Sequence, residues 1–173
     1  MTKTMKQKCA LRLAVAAAAL LFSADAMAAT QSVTANLAFD SPLVLTKNSD
    51  INFGTVIAGT ASTYTITTAG TVTATGSGQT LYGTKAAASI TIAGSATDTV
   101  NISVGGYTAQ GGVTPANATC AYNGGTAGSC TITGAAAAGT GKSLLIGVDA
   151  TVDGTQAAGA KATPSFTVTV TYS

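Results

Sequence analysis

Thr63-Tyr64-Thr65-Ile66-Thr67, then Ala69-Gly70, then Thr71-Val72-Thr73-Ala74-Thr75: this stretch decides the fold. Polar and apolar residues alternate with a period of two on both sides of a glycine turn. Two half-buried strands joined by a tight reversal read in this way. The pattern recurs in both directions. Upstream, Gln31 to Phe39 sets Val33, Ala35, Leu37 and Phe39 on one face and Ser32, Thr34, Asn36 and Ala38 on the other. Pro42 interrupts this run, Leu43 to Leu45 resumes it, and Asp50 to Gly54 reads as a short strand ending in a glycine turn. Downstream, strands are expected over 89–92, 99–104, 129–133, 144–152 and 165–172. Ala86 to Ala88 and Ala135 to Ala138 leave room for a single helical turn each, since alanine favours helix.

Many short strands at close spacing with glycine-rich turns define an all-β chain. The expectation is an immunoglobulin-like β-sandwich of antiparallel strands with Greek-key-type connections. The first residues set a different segment apart. Lys3, Lys6, Lys8 and Arg12 precede the apolar run Leu13 to Phe22, and Ala26-Met27-Ala28 closes it with a small-x-small pattern. That order is a secretory signal peptide. The run is too short for a spanning helix, which needs about 20 apolar residues, and Cys9 precedes it, which excludes a lipoprotein reading. The expected organisation is a signal peptide over 1–28 and one sandwich domain over 29–173. The destination is the periplasm, the cell surface or the medium, with no membrane span in the mature chain.

Half of the eight basic residues lie in the leader. Lys47, Lys85, Lys142 and Lys161 then face Asp40, Asp50, Asp98, Asp149 and Asp153, a net charge of −1 for the mature part. No basic stripe remains to track phosphates, so nucleic acid is not an expected partner. The chain has no Glu, His or Trp. Acid–base catalysis near neutral pH relies on His or a tuned carboxylate, and no base is in view to activate a Ser or Thr. No enzymatic activity, cofactor or metal site is expected. Asp149 and Asp153 share a strand face, but a Ca²⁺ site needs several more oxygens. Gly139-Thr140-Gly141-Lys142-Ser143 resembles the end of a phosphate loop, yet Ala136 stands where its first glycine belongs and a strand follows it, so it reads as a turn.

Cys120 and Cys130 are the cysteines left after the leader, and Asn123-Gly124-Gly125 between them is a turn signal. In an oxidising compartment such a pair is bonded.

Three stretches together resemble one family. Asp50-Ile51-Asn52-Phe53-Gly54-Thr55-Val56 is similar to its early motif of the form LDFGT. Gly147 to Val152, within LLIGVDATV, resembles its late strand. Thr155 to Gly159, leading to Phe166 to Tyr172, resembles its ending, although Thr171 stands where Asn is common. The family is a bacterial group of exported domains of unknown function, similar to spore-coat-U-like and Mat-type fimbrial major subunits. The ending also resembles that of chaperone–usher pilins, with Phe166, Val168, Val170 and Tyr172 alternating and Gly159 fourteen positions before Ser173. The resemblance implies a cell-surface structural subunit, fimbrial or coat-like, packing through its terminal strands. Its partners would be copies of itself or a periplasmic chaperone. The candidate assembly residues are Val33, Leu37 and Phe39 at one end and Phe166, Val168, Val170 and Tyr172 at the other. The N-terminal strand is either donated to a neighbour or the first strand of its own domain, and the second is favoured because chains tend to complete their own sheets. The competing function is a monomeric secreted binding module for a glycan or a surface protein, with Tyr64, Tyr82, Tyr107 and Tyr122 as its available aromatics.

N-terminal sequencing of the exported protein is expected to begin at Ala29; a start at Met1 or Thr2 would contradict the leader.

Overall fold

Threonine, valine and isoleucine at alternate positions favour pleated backbone, because branched side chains pack well on a half-buried sheet. The computed structural model describes residues 30–80 and 82–173. Ten strands follow one another: β1 (Val44–Ser49), β2 (Ser62–Ile66), β3 (Val72–Ala74), β4 (Ala88–Ala93), β5 (Val100–Thr108), β6 (Val113–Tyr122), β7 (Gly128–Ser129), β8 (Ile132–Ala135), β9 (Lys142–Val152) and β10 (Ser165–Tyr172). No helix occurs among the described residues. The compact unit spans Phe39–Ser173; the residues before it form a separate unit, of which 30–38 are described. The leader and its cleavage site lie outside the described residues.

The strands form two antiparallel sheets, a β-sandwich. The larger has seven strands built on β9, and the smaller runs β10-β5-β8. One side of β9 pairs with β6 along nearly its whole length. The other side is shared: Lys142–Ile146 pair with β4 and Val148–Val152 pair with β2. β1 lies outside β4 and β3 outside β2. Ile92, Leu144 and Ile146 of the large sheet meet Val100 and Ile102 of the small one in a single buried cluster. Burying such side chains contributes about 1.5–3 kcal/mol each.

Gly147 occupies the junction where β4 gives way to β2. A Cβ there would run into the backbone of Ile66 and Thr67 on one side and approach Thr119 Oγ1 to 3.0 Å on the other. The glycine in the late strand is therefore a packing requirement.

Several expectations are corrected. Gln31–Phe39 carries no strand, so it is not the first strand of its own domain; Val33, Leu37 and Phe39 are 90%, 77% and 88% exposed. Asp50–Gly54 reduces to one bridge, Asn52 to Ala86. Its glycine serves an Asx turn instead, in which Asn52 Oδ1 accepts the Gly54 N–H at 2.8 Å. β6 was not expected at all. Pro115 and Asn117 break its pattern, and both are accommodated by position. Pro115 pairs with Ala150 on one side only, so its missing N–H costs no ladder bond. Asn117 takes φ 51° in an irregularity of register between Ala116 and Thr119.

Gly147→Ala should cost roughly 1–3 kcal/mol, the range for forcing a methyl into packed surroundings. Denaturant unfolding of the two proteins measures it, and an unchanged midpoint would contradict the junction's role.

Candidate functional site

β10 derives from Ser165-Phe166-Thr167-Val168-Thr169-Val170-Thr171-Tyr172, in which every apolar side chain falls on one face. Phe166, Val168, Val170 and Tyr172 pack against the buried cluster but remain only partly covered. The threonines face outward. β10 pairs with β5 over Thr167–Tyr172, and it ends one side of its sheet. Ser173 N–H donates to Thr99 C=O at 3.0 Å. Antiparallel ladders alternate, so Thr171, Thr169 and Thr167 also bond toward β5, and the N–H and C=O groups of Tyr172, Val170 and Val168 point to the open side. Among the described residues no backbone hydrogen bond reaches them.

The other sheet margins are blunted: β6, paired on its outer side by β7 only at Thr119 and Cys120, carries Pro115 and an irregular register between Ala116 and Thr119. β1 carries Lys47 and a shift of register between Lys47 and Ser49. β3 has three residues, β7 two and β8 four. Short strands, lysines and bulges are the usual devices against unwanted pairing. β10 has eight residues and no charge, and its single irregularity lies at its start, between Ser165 and Thr167.

At the far end of β10 several chain segments are tied together. Tyr172 Oη donates to Ser41 C=O at 2.5 Å and accepts from Ser95 N–H at 2.7 Å. Ser95 is fully buried, and its hydroxyl accepts the N–H groups of Thr97 and Asp98. Beside this knot two carboxyls meet. Hydrogen bonds from the Ser95 hydroxyl and the Ser41 N–H hold Asp40 below the usual carboxylate range. Asp98 is pushed up, first by its hydrogen bond to Asp40, then by desolvation and by the neighbouring negative charge.

Cys120 and Cys130 are bonded, with Cα atoms 4.9 Å apart, and both are buried. The bond links β6 to the segment after β7. Asp149 and Asp153 act as local braces. Asp149 accepts from Thr65 Oγ1 at 2.6 Å and from Asn117 Nδ2 at 3.0 Å. Asp153 is held below its ordinary pKa by the backbone N–H and hydroxyl of Thr155 and by Gln156. The tyrosines are dispersed in their roles. Tyr64 is buried, Tyr107 tilts against Phe166 with ring centres 6.2 Å apart, Tyr122 donates to Ala136 C=O, and Tyr82 is exposed. Gly139 and Thr140 form a turn leading into β9, as the sequence indicated. Of the expected assembly residues, the structure brings Phe166, Val168, Val170 and Tyr172 together on one strand face. Val33, Leu37 and Phe39 lie in a stretch without strand and are exposed. The Tyr172–Ser41–Ser95 tie had no signal in the sequence beyond the aromatic next to the last residue.

A family model, "Domain of unknown function (DUF4402)", matches residues 43–172, about three quarters of the chain, and the chain belongs to that family. No curated protein and no solved structure matches it. The matched region ends at Tyr172 and starts after the exposed 30–39 segment.

Asp98→Asn keeps a hydrogen-bonding group toward Asp40 and removes the repulsion. A carboxyl whose folded pKa is raised favours the folded state at low pH and loses that advantage as pH rises from its ordinary value of 3.8 through the folded value. The variant should therefore melt slightly higher than the parent at pH 7, and the gain should vanish below pH 3.8. Thermal melts at the two pH values test this; an equal gain at both would exclude the carboxyl pair as its source.

Proposed function

We propose that the chain is an exported subunit of a bacterial surface structure, fimbrial or coat-like. In this reading the Val33–Phe39 segment of one copy pairs with the open edge of β10 in the next. The observation that carries it is the contrast at β10: a long, uncharged edge strand with a half-covered apolar row and free backbone groups. An alternating segment of the same chain offers a matching row, Val33, Ala35, Leu37 and Phe39, with the three large side chains mostly exposed. Strand addition to an open edge supplies backbone hydrogen bonds, and alternate side chains supply the fit. Covering Val33, Leu37 and Phe39 contributes about 1.5–3 kcal/mol each.

Other features support the same reading. The leader directs export, and the Cys120–Cys130 bond belongs to an oxidising compartment. The ending resembles pilin endings, and the motifs resemble those of spore-coat-U-like and Mat-type fimbrial subunits. A periplasmic chaperone would occupy the β10 edge until a second copy replaced it.

Deleting Thr30–Phe39 removes no described strand. The truncated chain should melt within about 0.5 kcal/mol of the parent, as for changes remote from the core, while losing self-association in sedimentation and electron microscopy. Association equal to the parent's would overturn the proposal and put the monomeric binding module ahead.

A further inference from the structure

Tyr172 belongs to two places at once. Its backbone N–H and C=O point to the open side of β10, while its hydroxyl holds Ser41 C=O and Ser95 N–H. Ser41 lies two residues after Phe39, the last apolar residue of the exposed segment. The knot is built for this contact. A Cβ on Gly94 would come within 2.5 Å of the Tyr172 hydroxyl and 3.0 Å of Leu43 Cδ2, so only glycine admits the ring. Ser95, wholly buried and bonded to the next turn, gives the hydroxyl a fixed donor.

We infer that Tyr172 couples the edge that accepts a neighbour's strand to the root of the segment that the same chain offers to the next copy. The inference rests on the reading of β10 as an acceptor edge. Tyr172 is the last residue of β10, and the ends of an edge strand open most readily. A strand paired along β10 bonds to its backbone and orders it. The ordered ring keeps its hydroxyl on Ser41 and Ser95, and the root at Ser41 loses freedom before its segment is engaged. A first binding event that orders shared structure lowers the cost of the second. Copies with a filled edge would thus offer their own segment better than free copies do, and a chain of copies would grow more readily than it starts. Tyr172 acts here as a positioning residue.

The test adds a synthetic peptide of residues 30–40 to the whole chain and to Tyr172→Phe, at a concentration where each is monomeric. Peptide affinity is measured together with hydrogen exchange of the Ser95 amide and backbone order at Ser41 by nuclear magnetic resonance. In the parent, bound peptide should slow Ser95 exchange about fivefold, the effect of one net hydrogen bond, and should order Ser41. Tyr172→Phe keeps the ring and the backbone but loses the tie, so it should bind the peptide up to about fivefold more weakly, the reciprocal of the coupling, and show neither change. Bound peptide without slower exchange in the parent overturns the coupling, and this arm needs no variant. Equal slowing in Tyr172→Phe overturns the role of the hydroxyl. A peptide that does not bind the parent overturns the acceptor edge itself, and the coupling falls with it.

Discussion

β9 must satisfy neighbours on both of its sides, and most of the sandwich follows from that requirement. Buried backbone N–H and C=O groups need partners. β9 buries Leu144, Ile146, Gly147, Val148, Ala150 and Val152, six of its eleven residues, so its backbone must be paired on both sides. β6 supplies one side in a single run. The other side is served end to end by β4 and β2, and the chain leaving β2 crosses the backbone at Gly147. The outer strands β1 and β3 are then fixed by whichever of those two they adjoin. The disulfide braces β6, the strand with the weakest pattern, at the end where Cys120 enters the core.

The small sheet stands under a different constraint. Three strands face seven across one core. β5 lies in its middle and buries Val100 and Ile102 completely, whereas β10 at its margin leaves its apolar row partly covered. Fold and edge thus share a cause. The same alternation that drives Phe166 to Tyr172 onto the core leaves that row only partly covered where β10 ends its sheet. At every other margin of the described sheets the chain spends a lysine, an irregular register or mere shortness. Its absence at β10 is a property of the sequence as much as of the topology.

Strands without a breaker were legible: β10 with its bounds, and β2, β4 and β9 to within one or two residues at each end; so was the pairing of Cys120 with Cys130. β6 was not, because Pro115 and Asn117 are breakers by any local rule and are tolerated only where one side lacks a partner or the register slips. Asp50 to Gly54 misled in the opposite sense. Its apolar residues suit a strand, but the Asn52 side chain satisfies the backbone locally and turns the chain at Gly54. The margins of β10 were legible as pattern only; which side of the strand lies open depends on sheet order, and that is set by contacts far apart in sequence. The Tyr172 hydroxyl likewise meets Ser41 and Ser95 across separations of 131 and 77 residues, a distance at which no local signal operates.

The N-terminal segment is where local and global consistency part. Foldable sequences agree with their structure at every level, and the exceptions cluster at functional positions. Val33 to Phe39 has as clean an alternation as β10, yet its large apolar side chains lie in solvent. Three such residues on one face of an alternating run are costly to keep exposed and invite association, and the proposed strand addition would bury them against a second copy. Length fits as well: seven residues at about 3.3 Å each match the open side of β10 from Phe166 to Tyr172. The segment and the edge carry the same period, comparable length and no opposing charge. Asp40 adds a carboxylate just beyond the last apolar residue, where the ties of Ser41 begin and pairing would have to stop.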